Sequence, residues 1–185
     1  GTKDGLNRYN GTDFYIFRPI ENDKHSLYNN NIGTICGDKD GHIYIRCKYA
    51  VVEYDIKKNI FHTIRDNNIQ AISYGNSRLW ACTRDSLFTY NRAEDKLEYY
   101  YHLEDVRMSC VTEDHEGNLY VGTMNNGLYM LDSNKKWLNY LPTKDITCIY
   151  EDSKKIIWVG TKDDGLFRLD RNGGKTNYVH APYKN

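Results

Sequence analysis

One phrase recurs along this chain, and its last copy is the clearest. Residues 145–170 read DITCIYEDSKKIIWVGTKDDGLFRLD, in which two short apolar runs flank a polar turn and a second turn leads into a third run. Apolar runs of about five residues separated by turn residues predict β-strands. The phrase occurs earlier three times nearly whole and once as a remnant. The chain is therefore an array of related units.

Each copy contains an aliphatic–aromatic pair that fixes the period of the array. The four pairs are Ile43-Tyr44, Leu79-Trp80, Leu119-Tyr120 and Ile157-Trp158. Their aromatic residues lie 36, 40 and 38 residues apart. A period near 40 with several short strands per unit is typical of β-propeller blades. We therefore predict an all-β fold built of four-stranded antiparallel blades, with the strands of each blade called A to D.

The array predicts about four and a half blades in a single propeller fragment. Residues 1–19 form a half blade with strands C and D only, because Gly1–Asn10 repeats the pattern of Gly160–Asp170 with one residue fewer. The full blades are predicted at 32–66, 69–104, 106–142 and 146–180. Since the last blade already has four strands, we expect an incomplete fragment of a larger propeller. The alternative is a closed ring of four blades with an extra hairpin.

An open arc of blades would leave the flanks of its end blades uncovered. Exposed apolar faces and strand edges invite pairing with other chains. The sequence therefore predicts that this chain associates with a second copy of itself or with a neighbouring propeller.

Charge and hydropathy exclude several classes of partner. The 25 Lys and Arg residues balance the 25 Asp and Glu residues, so no net field attracts nucleic acid. No apolar run approaches the roughly 20 residues that span a bilayer, and no charged-then-apolar leader begins the chain. We expect no direct contact with nucleic acid, and contact with a membrane only through parts that this chain lacks.

The segment Leu27–Ile45, which reads LYNNNIGTICGDKDGHIYI, resembles the two-component regulator propeller repeat. That family's pattern is a leucine, a small polar residue and an asparagine, followed by I-x-x-I-x-x-D-x-x-G-x-I-W-x-G-T. Met108–Thr123 and Ile146–Thr161 resemble it too. The blade at 69–104 departs most, with Tyr74 in place of the aspartate, a shorter A–B turn, and Ala-Cys-Thr for Val-Gly-Thr.

This resemblance implies a function. Such repeats form the periplasmic sensor region of hybrid two-component regulators, which are common in glycan-degrading gut bacteria. There they precede an immunoglobulin-like connector, a membrane crossing, a histidine kinase, a receiver and a DNA-binding part, all absent here. The resemblance implies a periplasmic, non-catalytic fragment that recognises an oligosaccharide and signals to the kinase, which controls transcription. A propeller scaffold for protein–protein interaction or dimerisation is the alternative, and a polysaccharide-cleaving enzyme is less favoured.

The B–C and D–A loops of propellers share one face, where ligands usually bind. Rigid strands hold such loops in place, and sugars are bound by amide, carboxylate, guanidinium and aromatic groups. The B–C loops offer these groups at Tyr49, Arg84, Asp85, Asn125, Asn126, Asp163 and Asp164. For each of them, a solvated turn residue is the competing interpretation.

Other motifs predict structure and not chemistry. Asp38, Asp114 and Asp152 precede the A–B turns, but the ligand series of a calcium loop is missing, so we interpret them as carboxylates that accept turn N–H groups. The histidines lack metal-site spacing, and no nucleophile elbow occurs. The sequence therefore predicts no catalytic residue, no metal and no cofactor.

Small residues recur at packing positions. Gly122 and Gly160 are expected to allow close strand packing, and Cys47 and Cys82 are assigned to the same position of the repeat. Cys110 and Cys148 share another position. With an odd count of 5 and no C-x-x-C pair, the cysteines are interpreted as buried thiols outside disulfides.

Overall fold

The computed structural model describes residues 1–65, 68–132, 134–170 and 174–179. These residues form eighteen β-strands, and none of them belongs to a helix that could cross a bilayer. The strands make one two-stranded and four four-stranded sheets. The chain divides into two compact units, unit 1 (Gly1–His102) and unit 2 (Leu103–Asn185).

Unit 1 contains three antiparallel sheets. The two-stranded sheet pairs β1 (Leu6–Tyr9) with β2 (Phe14–Phe17). The second sheet consists of β3 (Ile32–Gly37), β4 (His42–Cys47), β5 (Ala50–Asp55) and β6 (Ile60–Arg65). The third consists of β7 (Ala71–Gly75), β8 (Arg78–Cys82), β9 (Ser86–Asn91) and β10 (Lys96–His102). In each sheet, strands that follow one another in sequence are neighbours.

Unit 2 contains two four-stranded sheets of the same kind. The first consists of β11 (Met108–Glu113), β12 (Leu119–Thr123), β13 (Leu128–Leu131) and β14 (Trp137–Tyr140). The second consists of β15 (Ile146–Glu151), β16 (Ile157–Thr161), β17 (Leu166–Leu169) and β18 (Lys175–Tyr178). The prediction of an all-β fold of four-stranded propeller blades is confirmed. The predicted ends of two blades, at residues 66 and 180, lie outside the described residues.

The hydrophobic cores lie between successive sheets. One cluster joins the first two sheets of unit 1 and includes Leu6, Ile32, Ile45, Val52 and Tyr54. A second joins the next two sheets and includes Tyr44, Val51, Ile72 and Leu79. A third, in unit 2, includes Tyr120, Leu128, Ile157, Val159 and Phe167. Within each unit, neighbouring blades thus bury a face against one another, as expected of a repeat array.

The recurrent aspartates stabilise the A–B turns. Asp114 Oδ1 accepts the backbone N–H groups of Glu116 and Asn118 at 2.9 and 2.8 Å. Asp38 and Asp152 accept two backbone N–H groups in the same way. The second carboxylate oxygen binds the aromatic residue of strand B, since Trp158 Nε1 donates to Asp152 Oδ2 at 2.8 Å. The interpretation as turn carboxylates is confirmed, with an added bond from the turn to the core.

Gly122 and Gly160 allow close packing, as predicted. A Cβ atom at Gly122 would lie 2.4 Å from Cys110 Sγ, and one at Gly160 would lie 2.5 Å from Cys148 Sγ. Cys82 takes the same position of the repeat, but there the facing residue is the smaller Ala71. In each of these cross-strand pairs, a cysteine on one strand therefore faces a glycine or an alanine on the other, so the combined volume of the two side chains stays small.

The assignment of Cys47 to the glycine position is wrong. Cys47 pairs with Ile32, as Thr161 pairs with Ile146, so it occupies the threonine position one residue later. Its Sγ donates to the carbonyl of Asn29 at 2.6 Å. Arg46 stands at the glycine position, and a Cβ atom at Gly33 would overlap its guanidinium. In this blade the glycine is therefore on strand A: Gly33 leaves space for the Arg46 side chain on strand B. In the blades of unit 2, the glycine is on strand B and leaves space for a cysteine on strand A.

All five cysteines lie among the described residues, and none forms a disulfide. Cys47 and Cys82 are buried and Cys36 and Cys110 are half-buried, but Cys148 is exposed, so the prediction of burial is wrong there. Cys110 lies on β11, which packs against β15, whereas Cys148 lies on β15, where three of the six residues are exposed. Burial raises the pKa of the Cys36 and Cys110 thiols to about 12.

Candidate functional site

The seven residues predicted from sequence lie in B–C loops. Unit 1 carries Tyr49 between β4 and β5, and Arg84 and Asp85 between β8 and β9. Unit 2 carries Asn125 and Asn126 between β12 and β13, and Asp163 and Asp164 between β16 and β17. All seven are exposed or half-buried. Their role as ligand-binding residues stays a prediction.

In unit 2, two of the four predicted residues, Asn125 and Asp164, contact the connection that precedes β15. The backbone N–H of Asn125 donates to Asp145 Oδ1 at 2.5 Å. Lys144 Nζ donates to Asp164 Oδ1 at 2.6 Å. The D–A connection therefore ties together the B–C loops of two neighbouring blades, and Asp164 is engaged in a structural ion pair.

Unit 1 holds its predicted residues by their backbone or by local bonds. The carbonyl of Tyr49 accepts the N–H of Ile69 at 3.0 Å, while its side chain is 51% exposed. Asp85 Oδ1 accepts the hydroxyl of Ser86 at 2.9 Å. Tyr49 therefore presents a fixed aromatic ring to solvent, whereas Asp85 stabilises its own turn.

The threonine that ends strand B fixes the loop that follows. Thr123 Oγ1 donates to the carbonyl of Gly127 at 2.6 Å, and Thr161 Oγ1 donates to that of Gly165 at 2.7 Å. Both glycines have positive φ, at 85° and 80°. A side chain at Gly127 would also overlap the carbonyl of Leu141. These loops are therefore closed by their own sequence, without a ligand.

A groove of about 690 Å³ lies at the other end of the blades of unit 1, where the A–B and C–D turns are. It lies between the second and third sheets. We call it the tyrosine groove, and its lining includes Tyr44, Tyr74, Tyr90, Asp38, Lys39, Asp40, Asn76, Ser77 and Arg92. The rings of Tyr44 and Tyr74 are stacked, with centroids 5.7 Å apart and planes 8° apart. The ring of Tyr90 meets that of Tyr44 edge-on at 6.4 Å.

A network of charged groups forms the floor of the tyrosine groove. Arg92 Nη2 donates to Tyr44 Oη at 2.5 Å and to Glu53 Oε2 at 3.1 Å, and Nη1 donates to Glu53 Oε1 at 3.3 Å. Glu53 is buried on β5, and Arg92 follows β9, so the ion pair joins two sheets. His42 Nδ1 lies 2.7 Å from Asp38 Oδ2. Burial raises the pKa of Tyr44 to about 12, which keeps its hydroxyl protonated at neutral pH.

Unit 2 has a smaller groove of about 330 Å³ at the equivalent place. Its lining includes Asp114, Tyr120, Glu151 and Asp170. Glu151 pairs with Ile157 as Tyr74 pairs with Leu79, so Tyr74 and Glu151 hold the same position of the repeat. The assignment of Tyr74 to the aspartate position is therefore wrong, because Asp152 follows Glu151 and the corresponding residue after Tyr74 is Gly75. Glu151 Oε2 accepts the backbone N–H of His115 at 3.0 Å, and Oε1 contacts the His115 ring. This contact joins the two blades. The groove is lined by carboxylates as well as by the tyrosines Tyr120 and Tyr140.

Sequence reasoning missed the groove residues Tyr44, Tyr74 and Arg92. The available signal was the departure of the third sheet from the repeat, namely its tyrosine at position 74 and its short A–B turn. Among the described residues, no three His, Cys, Asp or Glu side chains are arranged to hold a metal ion. What the two blade ends offer a ligand is polar groups that donate and accept hydrogen bonds and, in the tyrosine groove, aromatic rings for stacking.

The sequence was compared with protein-family models and with curated proteins. A family model described as two component regulator propeller matches residues 102–125 and 140–163. A search among curated proteins finds no match.

Solved structures similar to this chain include the extracellular domains of two putative hybrid two component systems from B. thetaiotaomicron. The first is 23% identical with a TM-score of 0.78, and the match covers 97% of this chain and 28% of that one. The second is 18% identical with a TM-score of 0.79, and the match covers 100% and 30%. Virginiamycin B lyase from Staphylococcus aureus is 14% identical with a TM-score of 0.69, over 90% of this chain and 59% of the lyase.

The fold defines a β-propeller protein, because the sheets are successive four-stranded blades and the solved structures share the architecture. Within that class, two segments of the chain match the repeat of the two component regulator propeller family. It spans less than a third of the hybrid-system domains that it matches.

Proposed function

We propose that this chain is part of the sensor region of a hybrid two-component regulator. In this proposal it lies in the periplasm and recognises an oligosaccharide, and its signal passes to a histidine kinase elsewhere in the full-length protein. The observation that carries the proposal is the match of residues 102–125 and 140–163 to the regulator propeller model. The fold shared with extracellular domains of two putative hybrid two component systems supports it.

The proposed role is binding, not catalysis. The charged groups with defined geometry at both blade ends bind one another, as in the pairs Arg92–Glu53 and Lys144–Asp164. Such pairs hold turns and blades in register, so the ligand would be read by a rigid surface. The lyase with the same fold shows that propellers also support enzymes. Its identity of 14% carries no residue roles to this chain.

One observation favours a second candidate function, a scaffold that binds another propeller or a second copy. Strand β2 exposes large apolar side chains, with Phe14 at 68% and Ile16 at 55%. Neighbouring Tyr9 is 57% exposed and stacks on Phe14. A cluster of this kind on a strand invites association with another protein surface.

Thermal denaturation in the presence of defined oligosaccharides tests the sensor proposal. The panel would contain hexasaccharides of glucose, mannose and xylose as neutral members and of galacturonic acid as the acidic member. A ligand at a hundredfold excess over its Kd should stabilise the chain by about 2.7 kcal/mol. Stabilisation by one sugar class supports the proposal. No stabilisation by any sugar, in this chain and in a version extended at both ends, contradicts direct binding and favours the scaffold.

A further inference from the structure

We propose that the tyrosine groove of unit 1 is the binding site for a neutral oligosaccharide. This inference rests on the proposed sensor function and adds the location of the site and the charge class of the ligand. It places the ligand at the A–B and C–D turns, away from the B–C loops that the sequence pattern favours.

The groove exists because one blade departs from the repeat. The A–B turn of the third sheet has only two residues, Asn76 and Ser77, both with positive φ. The corresponding turn in unit 2 runs from Asp114 to Asn118. The shorter turn leaves space above the strands, and the groove volume of about 690 Å³ compares with about 330 Å³ in unit 2. Ligand sites typically have volumes of roughly 300–1,000 Å³.

The walls of the groove fit the amphipathic surface of a sugar. Sugar rings present C–H groups on their faces and hydroxyls at their edges. Tyr74 and Tyr90 are half-buried and line the groove, and packing on buried Tyr44 fixes their rings. Fixed aromatic rings offer a large contact area with a polar tip. The turn residues Asp40 and Ser77 lie at the rim as hydrogen-bonding partners for hydroxyls.

The charges of the groove favour a neutral ligand. The guanidinium of Arg92 is already bound by Glu53 and by the hydroxyl of Tyr44. Lys39 is the other cation of the lining, and the carboxylate of Asp40 offsets it. The lining therefore holds two carboxylates, Asp38 and Asp40, against two cations, Lys39 and Arg92. A balanced lining offers no net attraction to an acidic sugar, whereas the hydroxyls of a neutral sugar can donate hydrogen bonds to the exposed carboxylate of Asp40.

Calorimetric titration of three variants against the hexasaccharide panel tests the inference. Tyr74→Ala removes the stacking wall and should weaken binding of the neutral hexasaccharide about tenfold or more, a loss of about 1.4 kcal/mol per factor of ten. Tyr49→Ala tests the competing site, since it removes a half-exposed tyrosine from the B–C loops at the opposite blade end of the same unit; binding in the groove predicts an unchanged Kd. Asp40→Ala removes an exposed acceptor at the rim and should weaken binding severalfold.

Each outcome bears on the proposal. Weaker binding by Tyr74→Ala and Asp40→Ala, with Tyr49→Ala unchanged, supports it. If circular dichroism shows that Tyr74→Ala is unfolded, Asp40→Ala decides. Unchanged affinity in the groove variants, or a loss in Tyr49→Ala alone, overturns the groove while the sensor function stands. Binding of only the acidic hexasaccharide overturns the charge argument. No binding by the unmodified chain overturns the inference, and the proposed function falls with it when the version extended at both ends binds none of the panel either.

Discussion

The aspartates of the A–B turns show how one residue type can shape a repeat. Each of them binds two turn N–H groups with one oxygen, as Asp152 does with Lys154 and Ile156. The other oxygen of Asp152 binds the Trp158 indole. A short carboxylate at this place therefore satisfies the turn and anchors the aromatic core residue. The repeat position was readable from sequence, but the bond to the aromatic was not, because it depends on side-chain direction.

Replacing Asp114 should destabilise unit 2. Asp114 is buried, and Asp114→Ala leaves two turn N–H groups and the Asn118 amide without their acceptor. We expect a loss of about 2–3 kcal/mol in the free energy of unfolding, measured by urea denaturation. Glu116→Ala, an exposed substitution in the same turn, is the control and should cost less than about 0.5 kcal/mol. Equal midpoints for the two variants would refute this role.

The carboxylate of Asp152 predicts acid sensitivity. Hydrogen bonds from the Trp158 indole and from backbone N–H groups hold the pKa of Asp152 below its usual value. A lowered folded-state pKa stabilises the fold above the unfolded-state pKa of about 3.9, and the contribution is lost as pH falls through the lowered value. Urea denaturation from about pH 6 downward should therefore show stability falling below about pH 4. Asp152→Asn should make this fall shallower, and an unchanged slope would contradict the assignment.

At the scale of strands, the repeat accounts for most of what could be predicted. Strands β3, β11 and β15 begin where the pattern puts them, because alternating apolar residues and turn residues define a strand locally. The error at Cys47 arose because Cys47 was matched to Cys82 by residue type, although Cys47 is the third residue of Ile45-Arg46-Cys47 and Cys82 is the second of Ala81-Cys82-Thr83. Matching by residue type shifted the alignment, whereas cross-strand pairing with Ile32 settles it. The tyrosine groove was not predictable in the same way, since its walls come from two sheets.

The glycines of strand B should differ in how well they tolerate a methyl group. At Gly122 a Cβ atom would meet Cys110 Sγ at 2.4 Å and also Ile146 Cγ2 at 2.6 Å, both in the packed interior. At Gly160 the close contact is Cys148 Sγ, on an exposed side chain that can move aside. We expect Gly122→Ala to cost about 1–3 kcal/mol and Gly160→Ala less than about 1 kcal/mol by urea denaturation. A larger loss of stability in Gly160→Ala than in Gly122→Ala would show that these close contacts do not determine the loss.

A double variant checks the size rule for facing residues. Gly160→Cys with Cys148→Ala copies the Cys82 and Ala71 pair of unit 1. Because the smaller side chain at position 148 would leave the space that the new cysteine needs, the double variant should be more stable than Gly160→Cys alone. Additive losses would show that the two positions do not share space.

At the scale of the whole molecule, the two units repeat one design, in which cores form between blades. The two-stranded sheet of unit 1 follows it too, since Phe17 packs on Tyr54 and Phe61 and Arg8 Nη1 donates to Tyr54 Oη at 2.9 Å. Because every blade follows the same arrangement, its sequence pattern recurs along the chain, and the fold class could be predicted from a single sequence. The candidate site was harder, because loops of suitable chemistry occur at both blade ends, and only the packed structure shows the tyrosine groove between two sheets.

The exposed cluster on β2 predicts self-association of this chain. Light scattering coupled to size exclusion should give a mass above that of one chain, falling towards one chain on dilution. Ile16→Lys places a charge in the cluster and should shift the distribution to the monomer, whereas Tyr150→Lys, at an exposed aromatic of unit 2, serves as the control. A monomer at all concentrations would remove the support for the scaffold function.

The most direct test of the central claim is a map of where an oligosaccharide binds. Two-dimensional ¹⁵N–¹H spectra of the chain would be titrated with the neutral hexasaccharide that stabilises it most. Binding in the tyrosine groove predicts that the amide signals of residues 38–42 and 74–77 shift together and saturate at one Kd. Shifts confined to the B–C loops at residues 49, 84–85, 125–126 and 163–164 would contradict the groove, and the absence of any shift would contradict oligosaccharide recognition by this chain.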